Sequence, residues 1–302
     1  MSKLSPGTKS NAALSFPLWA YLAFFFLIPT TLIGWYSFGY KPDIYTARSN
    51  DRLSFDRYVE ATDATFLTTF WNTLRIAGVG TLICLAIGLP FAYWLAVKAA
   101  PRWRAMLLAL VLIPFWTNFL VRTLGWQIML SPEGFVSGAL NKLGLIHGPL
   151  EILYTPAAVQ IGVVYNYLPL MIMPLYVALE RSEASMREAS KDLGAGRLRT
   201  FLDITIPSAL PGIAAGCLLV FIPLMGDYIT ASVLGGAQGN MVGQLVAAQF
   251  NIAQNWALGS AMAITLMAFI LATVLAVGAV ALVVKTLIKR SRRVTIPEGA
   301  QP

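Results

Sequence analysis

Glu188-Ala189-Ser190-Lys191-Asp192-Leu193-Gly194-Ala195, continued by Gly196-Arg197-Leu198-Arg199-Thr200, leads into Phe201-Leu202-Asp203-Ile204-Thr205-Ile206-Pro207. The stretch is polar and carries both signs of charge, yet apolar segments flank it on either side. Ser182, Glu183 and Ala184 open a helix-favouring run, with Ser182 or Ser185 available as N-cap and Glu188 three residues after Ser185. Gly194 and Gly196 break that run. A second short helical run, Leu198 to Ile204, leads to Pro207, which suits the first turn of the next helix. The expected shape is helix, sharp turn, helix, held at a membrane surface.

The rest of the chain supplies the membrane. Of its 302 residues, 57% are hydrophobic and 12% charged, and the mean hydropathy is +0.67. Soluble domains average about 25% charged residues, so lipid is the expected solvent. Six apolar stretches are each long enough to cross a bilayer at about 20 residues per span. They run roughly from Phe16 to Tyr36, Thr69 to Val97, Ala105 to Leu130, Pro156 to Leu179, Ser208 to Leu234 and Ala257 to Leu287. The first is read as an uncleaved helix, because it is long for a signal peptide and no small-x-small site follows it. Residues 1–15 and 291–302 read as tails around a single six-span membrane domain, 16–290, whose polar loop is 181–207.

Charge sets the orientation. Of the 22 lysines and arginines, fifteen sit in the tails and in the segments that hold Lys98, Arg181 and Arg197; five, including Lys41 and Lys142, sit in the intervening loops. The positive-inside rule places the richer side, with both termini and the 181–207 loop, in the cytoplasm. The net charge of +8 therefore reads as topology and not as nucleic-acid binding. Cys84 and Cys217 lie inside expected spans and imply no disulfide framework. The single histidine, His147, sits in no cysteine–histidine cluster, so no metal is expected.

The polar stretch resembles the EAA loop of ATP-binding-cassette importer permeases, which reads roughly Glu-Ala-Ala, three residues, Gly, nine residues, Ile-x-Leu-Pro. Glu188, Ala189, Gly194, Ile204 and Pro207 fall on that pattern; Ser190 and Ile206 are mild departures. The resemblance implies an all-α integral membrane protein of six transmembrane helices, the MetI-like permease fold, with cytoplasmic coupling helices. It also implies that Glu188, Ala189, Gly194, Ala195 and Pro207 meet a separate ATPase, where small residues allow close approach. No G-x-x-x-x-G-K-[ST] loop occurs, so no cofactor is expected on this chain and ATP would be bound by the partner. The implied partners are a pair of ATPase subunits, a second permease and a periplasmic solute-binding protein in the bacterial inner membrane.

Charged and polar residues within spans usually have a use, because burying a charge there costs roughly 2.5–3.5 kcal/mol on insertion scales. Arg122 lies in Pro114-Phe115-Trp116-Thr117-Asn118-Phe119-Leu120-Val121-Arg122. Asp227 lies in Pro223-Leu224-Met225-Gly226-Asp227-Tyr228, where Pro223 and Gly226 weaken the helix. With Tyr165-Asn166-Tyr167 these segments resemble the polyamine branch of the importer permeases, the spermidine/putrescine type, from about Asn72 to Lys285. A polyamine needs carboxylates or oxygen dipoles and aromatic faces along its path. Asp227, Tyr228, Trp116, Asn118, Tyr165, Asn166 and Tyr167 are the available set. Asp227 paired with Arg122, holding two spans in register, is an equal alternative. Gly212 and Gly216 form a small-x-x-x-small pair suited to close helix packing, with a second permease as the expected partner. Other cargoes stay open: an opine, an amino-acid derivative, thiamine or a ferric ion. An ion-coupled secondary transporter is less well supported, with Asp227 as its only coupling carboxylate. An enzyme is disfavoured by the lack of paired carboxylates, HExxH or G-x-S-x-G.

Overall fold

The structure is a computed structural model that describes residues 15–181 and 184–291. Lys3, Lys9, Ser182, Glu183, Arg292 and Arg293 lie outside the described residues. Apart from one isolated bridge between Tyr40 and Ser49, every regular element described is helical. In chain order these are α1 Ser15–Tyr36, α2 Asp56–Glu60, α3 Ala64–Lys98, α4 Pro101–Trp116 and α5 Phe119–Leu130. There follow α6 Phe135–Lys142, α7 Pro156–Glu180, α8 Ala184–Asp192, α9 Arg197–Met225, α10 Val242–Asn251 and α11 Trp256–Ser291. Five of them are long and apolar enough to cross a membrane, and the bent pair formed by α4 with α5–α6 makes a sixth if counted as one span.

Helix α7 is the centre of the bundle. Half of its most apolar window is buried, against none of α1's. Val159, Val163, Tyr167, Met171, Leu175 and Leu179 are buried along it at a four-residue spacing. That spacing is one ridge of a helix surface, and a ridge needs a groove opposite. Small residues on the neighbours provide it: Gly80, Cys84, Gly88 and Ala92 are buried on α3, and Ala209, Gly212 and Gly216 on α9. A Cβ added at Gly212 would stand 2.4 Å from Ala178 Cβ and 2.6 Å from the Pro174 carbonyl oxygen. The expected small-x-x-x-small pair is therefore a packing device, but its partner is α7 of the same chain and not a second permease.

Two expected spans are not continuous. The stretch from Ala105 to Leu130 is split into α4 and α5, bent by 88°. Thr117 is extended at ψ 155°, and the Asn118 side chain accepts hydrogen bonds from the Leu120 and Val121 amides at 2.8 and 3.4 Å. An uninterrupted apolar run conceals this stop, because hydropathy does not register a side chain that caps a restart. The fifth span ends at Met225 and not at Leu234; a π-turn, Ala231–Gly235, follows the break. Helix α10, between that break and α11, was not expected at all.

The loop itself is simpler than expected on one side. The run from Arg197 does not stop before Pro207 but continues unbroken to Met225, a 29-residue helix. A π-turn at Phe201–Thr205 makes this possible. Proline has no amide proton and its ring presses on the carbonyl four residues back, so a wider turn just before it relieves both problems. The same arrangement recurs in α1, where a π-turn at Ala23–Leu27 precedes Pro29.

The loop between α1 and α2 is fastened to the start of α11. Lys41 Nζ donates to the Ala253 carbonyl at 2.6 Å, and the Trp256 amide to that of Ala47 at 3.2 Å. Within it the amides of Thr46 and Tyr45 donate to Asp43, which holds that carboxyl below its usual pKa.

Overpacking at a helix contact typically costs about 1–3 kcal/mol. Gly212→Ala is expected to cost that much, since backbone and a Cβ stand in the way. Gly216→Ala should cost less, since the nearest atom is the flexible Met171 Sδ at 2.8 Å. Thermal unfolding of the purified protein in detergent checks this: the midpoint should fall further for Gly212→Ala than for Gly216→Ala.

Candidate functional site

The residues singled out in the sequence fall into two groups in space. The first is the knob formed by α8 and the start of α9. Helix α8 ends in a reciprocal backbone cap: the Ala195 amide donates to Ser190 O at 3.0 Å and the Gly194 amide to Lys191 O at 2.8 Å. Gly194 has φ +83°, a conformation open to glycine and strained for other residues. No atom lies within 4 Å of where its Cβ would be, so glycine is required here by the backbone and not by crowding inside the chain. Ser190 Oγ and Thr200 Oγ1, 3.1 Å apart, bind the two arms of the turn together. Ser185 lies inside α8, which begins at Ala184, and so is not its cap.

The outward side of this knob is unexpectedly apolar. Glu188 and Ala189 are exposed, and so are Met186 and Leu193, the latter 89% exposed. Met186, Ala189 and Leu193 follow the i, i+3, i+7 pattern and share one helix face. Sequence reasoning passed over Leu193 because it fills an unspecified position of the motif. The available signal was a lone leucine among charges immediately before the turn glycine. Pro207 lies apart from this face, inside α9.

The second group lies where α5, α7 and the break after α9 meet. Asp227, only 6% exposed, accepts hydrogen bonds from the Thr230 amide at 3.0 Å, the Thr230 hydroxyl at 2.6 Å and the Tyr167 hydroxyl at 3.4 Å. The carboxylate thus caps the helical restart at Ile229, as Asn118 caps α5. Asn166, almost fully buried, donates to Thr123 Oγ1 at 3.2 Å, while its own Oδ1 has no protein partner. Tyr167 is close to the middle of the 25-residue α7, so this network sits at mid-depth of the bundle.

Asp227 does not pair with Arg122. The ion pairs that do form include Arg57–Glu60, Arg104–Glu180 and Arg199–Asp203. Arg122 instead lies over the rings of Phe115 and Phe119, 5.4 and 5.5 Å from their centroids, and its buried Nε and Nη1 have no hydrogen-bond partner. The carboxylate found nearer donors on its own strand of chain and on α7, so the register role falls to the Tyr167–Asp227 contact. Tyr165 meets Trp126 edge-on at 5.4 Å and makes no hydrogen bond to Asp227. Trp116 is 81% exposed and Tyr228 about half exposed, outside the cluster. Of the expected pathway set, Asn166, Tyr167 and Asp227 are gathered in the interior, together with Thr123 and Thr230, which sequence reasoning missed. An Asp followed three residues later by Thr after a helix breaker was the signal for Thr230. Thr123 carried none.

Comparison with known proteins adds the following. The family model described as "Binding-protein-dependent transport system inner membrane component" matches residues 88–293. The spermidine/putrescine transport system permease protein PotB of Haemophilus influenzae is 39% identical over 253 residues, covering 82% of this chain and 86% of that protein. PotB of Escherichia coli K12 is also 39% identical, over 246 residues, 82% of this chain and 88% of that protein. The inner membrane ABC transporter permease protein YdcU of the same organism is 31% identical over 222 residues, 69% of this chain and 71% of that protein. Among solved structures, a bacterial ABC transporter involved in the import of the acidic polysaccharide alginate matches with a TM-score of 0.69 and 16% identity, covering 90% of this chain and 97% of that one. At that identity the likeness concerns the fold.

The network makes a graded prediction for stability. Hydrogen bonds to a charged group contribute about 1.5–3 kcal/mol and neutral or long ones about 1 kcal/mol or less. Thr230→Val, which removes the 2.6 Å bond, should lower the thermal midpoint clearly. Tyr167→Phe, which removes the 3.4 Å bond, should lower it by less than half as much.

Proposed function

The chain belongs to the binding-protein-dependent transport system inner membrane components, and from that premise we propose how it couples to its motor and what it carries. It is a multi-pass inner-membrane permease subunit of an ATP-binding-cassette importer. In our reading both termini and the α8 knob face the cytoplasm, as the positive-inside count requires. The complete importer would comprise this chain, a second permease, two ATPase subunits and a periplasmic solute-binding protein. The chain would catalyse no covalent chemistry of its own.

One observation supports the coupling role above the others: an apolar face of Met186, Ala189 and Leu193 stands exposed on a knob whose base is rigidly tied. An apolar face presented to solvent on a polar loop is the mark of an interaction site. Gly194 keeps the turn beside it thin, so a partner can approach closely. The knob continues into α9, a helix of 29 residues and about 43 Å at 1.5 Å per residue. When two ATPase subunits close on the knob, α9 would carry the displacement to the break at Gly226. Close packing of α9 on α7 and of α7 on α3 would make all three move as one body.

The cargo we propose is a polyamine, putrescine or spermidine, or a related cationic small molecule. Identity to the PotB proteins over most of the chain supports this class. Chemistry agrees: Asp227, the one buried acidic side chain among the described residues, stands beside Tyr167, with Tyr228 at the adjoining surface. The absence of an Arg122–Asp227 pair leaves that carboxylate uncancelled. Arg122, over its phenylalanine rings, would stand off the cation's path.

Two measurements on the importer reconstituted in proteoliposomes test this reading. Gly194→Glu and Leu193→Glu should insert and assemble normally but lose at least tenfold in ATP-driven spermidine uptake; normal uptake in both would reject the coupling role. Asp227→Asn should slow spermidine uptake severalfold with assembly intact, and an unchanged rate would remove Asp227 from the pathway.

A further inference from the structure

The elbow between α4 and α5 leaves broken backbone open at mid-depth. The two helices meet at 88°, and the Phe119 ring lies 6.0 Å from that of Tyr167, near the middle of α7. The Asn118 side chain takes the Leu120 and Val121 amides, so the Trp116 and Thr117 carbonyls lose their helical donors. Around this turn Trp116, Leu120, Val121 and Leu124 are exposed. Irregular backbone at such depth does not face lipid; it is covered by protein or lines water. A face this apolar is a poor lining for water and a good one for a helix. Two hollows of about 230 and 350 Å³ flank the elbow, one reaching Pro114 and the other Trp126. They share Tyr165 and Leu168 of α7 and so form one groove, able to receive the side-chain ridge of another helix.

Arg122 defines what that helix carries. Its guanidinium has no hydrogen-bond acceptor among the described residues. Nε and Nη1 are buried beside the rings of Phe115 and Phe119, which leaves Nη2 as the nitrogen a neighbour can reach. Ring faces attract a cation but do not replace a charge-assisted hydrogen bond. A charge at membrane depth is costly unless it is paired. The chain has no acid of its own to spare: Asp227 is the only acidic residue within the expected spans, and Thr230 and Tyr167 occupy it. A copy of this chain meeting it through the same face would bring a second Arg122 and no acid. We propose that the α4–α5 elbow is the surface on which a second permease packs, and that a helix of that permease brings a carboxylate to Arg122 Nη2. Folding leaves the arginine unpaired and assembly pairs it, so the partner is selected by charge as well as by shape. This inference rests on the importer reading, which supplies the second permease, and is independent of the knob.

The test places p-benzoylphenylalanine at Trp116 or Val121 in the assembled importer and maps the light-induced adducts by mass spectrometry. Both positions should crosslink to the second permease, within one helical turn of an acidic residue in one of its spans. Arg122→Met should lower recovery of the second permease with the purified chain about tenfold or more, and Arg122→Lys by less. Arg122→Glu combined with a lysine in place of the partner's acid should restore recovery. The chain purified alone separates pairing from folding: Arg122→Met should leave its thermal midpoint unchanged or raise it, since an unpaired charge is removed. A lowered midpoint there would give Arg122 an internal role and overturn the proposal. So would crosslinks confined to phospholipid, crosslinks to a stretch of the second permease without an acid, or full recovery with Arg122→Met. Modification of Trp116→Cys by a charged, membrane-impermeant thiol reagent in the assembled importer, with Cys84 and Cys217 replaced, would overturn it by placing water at the elbow. A preparation with no second permease would reject the importer reading itself, whereas a second permease that is present and does not crosslink would reject this contact alone.

Discussion

The close approach of α7 to its two neighbours is the contact on which the rest of the molecule depends. In lipid the hydrophobic effect does not hold helices together, since the tails are as apolar as leucine. Attraction comes largely from van der Waals packing, which loses about a quarter to a half of its depth across a gap of about 0.5–1 Å. The chain meets this requirement with large side chains on one helix and small ones on two. Val163, Met171 and Leu175 of α7 reach into surfaces opened by Gly80 and Gly88 of α3, while Gly212 and Gly216 bring α9 down onto Pro174 and Ala178. A bundle held this way resists shear, because each ridge residue is confined on both sides.

That rigid centre allows irregularity at its margins. Backbone that leaves the helical ladder at membrane depth needs partners from the protein. Two helices do leave it, and both restarts use the same device: Asn118 caps α5 and Asp227 caps the turn at Ile229. Asp227 also receives the Tyr167 hydroxyl, so the cap is anchored to the central helix. A carboxyl group placed to end one helix and begin another is also the one buried acidic side chain among the described residues. Structural need and the proposed attraction for a cation are met by one group.

Much of this was legible in the sequence, and the losses have physical causes. Span positions follow from apolar length, which is why the starts and ends of α1 and α7 came out within a residue or so, whereas α9 begins at Arg197, well before the expected Ser208. The knob was legible because Gly194 and Gly196 interrupt a charged helix between two spans, and the family resemblance named its role. Hydropathy failed where geometry turns on a single hydrogen bond. Asn118 inside an apolar run looks like a tolerated polar residue until its oxygen is seen to take two amides. Asp227 and Arg122 have opposite charges, yet the carboxyl group is taken up by Thr230, three residues away, and by Tyr167. Leu193 was passed over for a different reason: a motif records which positions are constrained by type, and the apolar face it shares with Met186 and Ala189 is a matter of spacing. Helix α10 was lost because ten moderately apolar residues after a glycine-rich turn do not look like a span.

In our reading the knob and α9 form one stiff lever in spite of the π-turn and proline at its root. Spin labels at Arg199 and Leu219, both exposed on α9, measure it directly in the assembled importer with Cys84 and Cys217 replaced. Their separation, about 30 Å for 20 helical residues, should be the same without nucleotide and with ATP trapped. A separation that shifts by several ångströms, or splits into two populations, would place a hinge at Phe201–Pro207 and contradict the account.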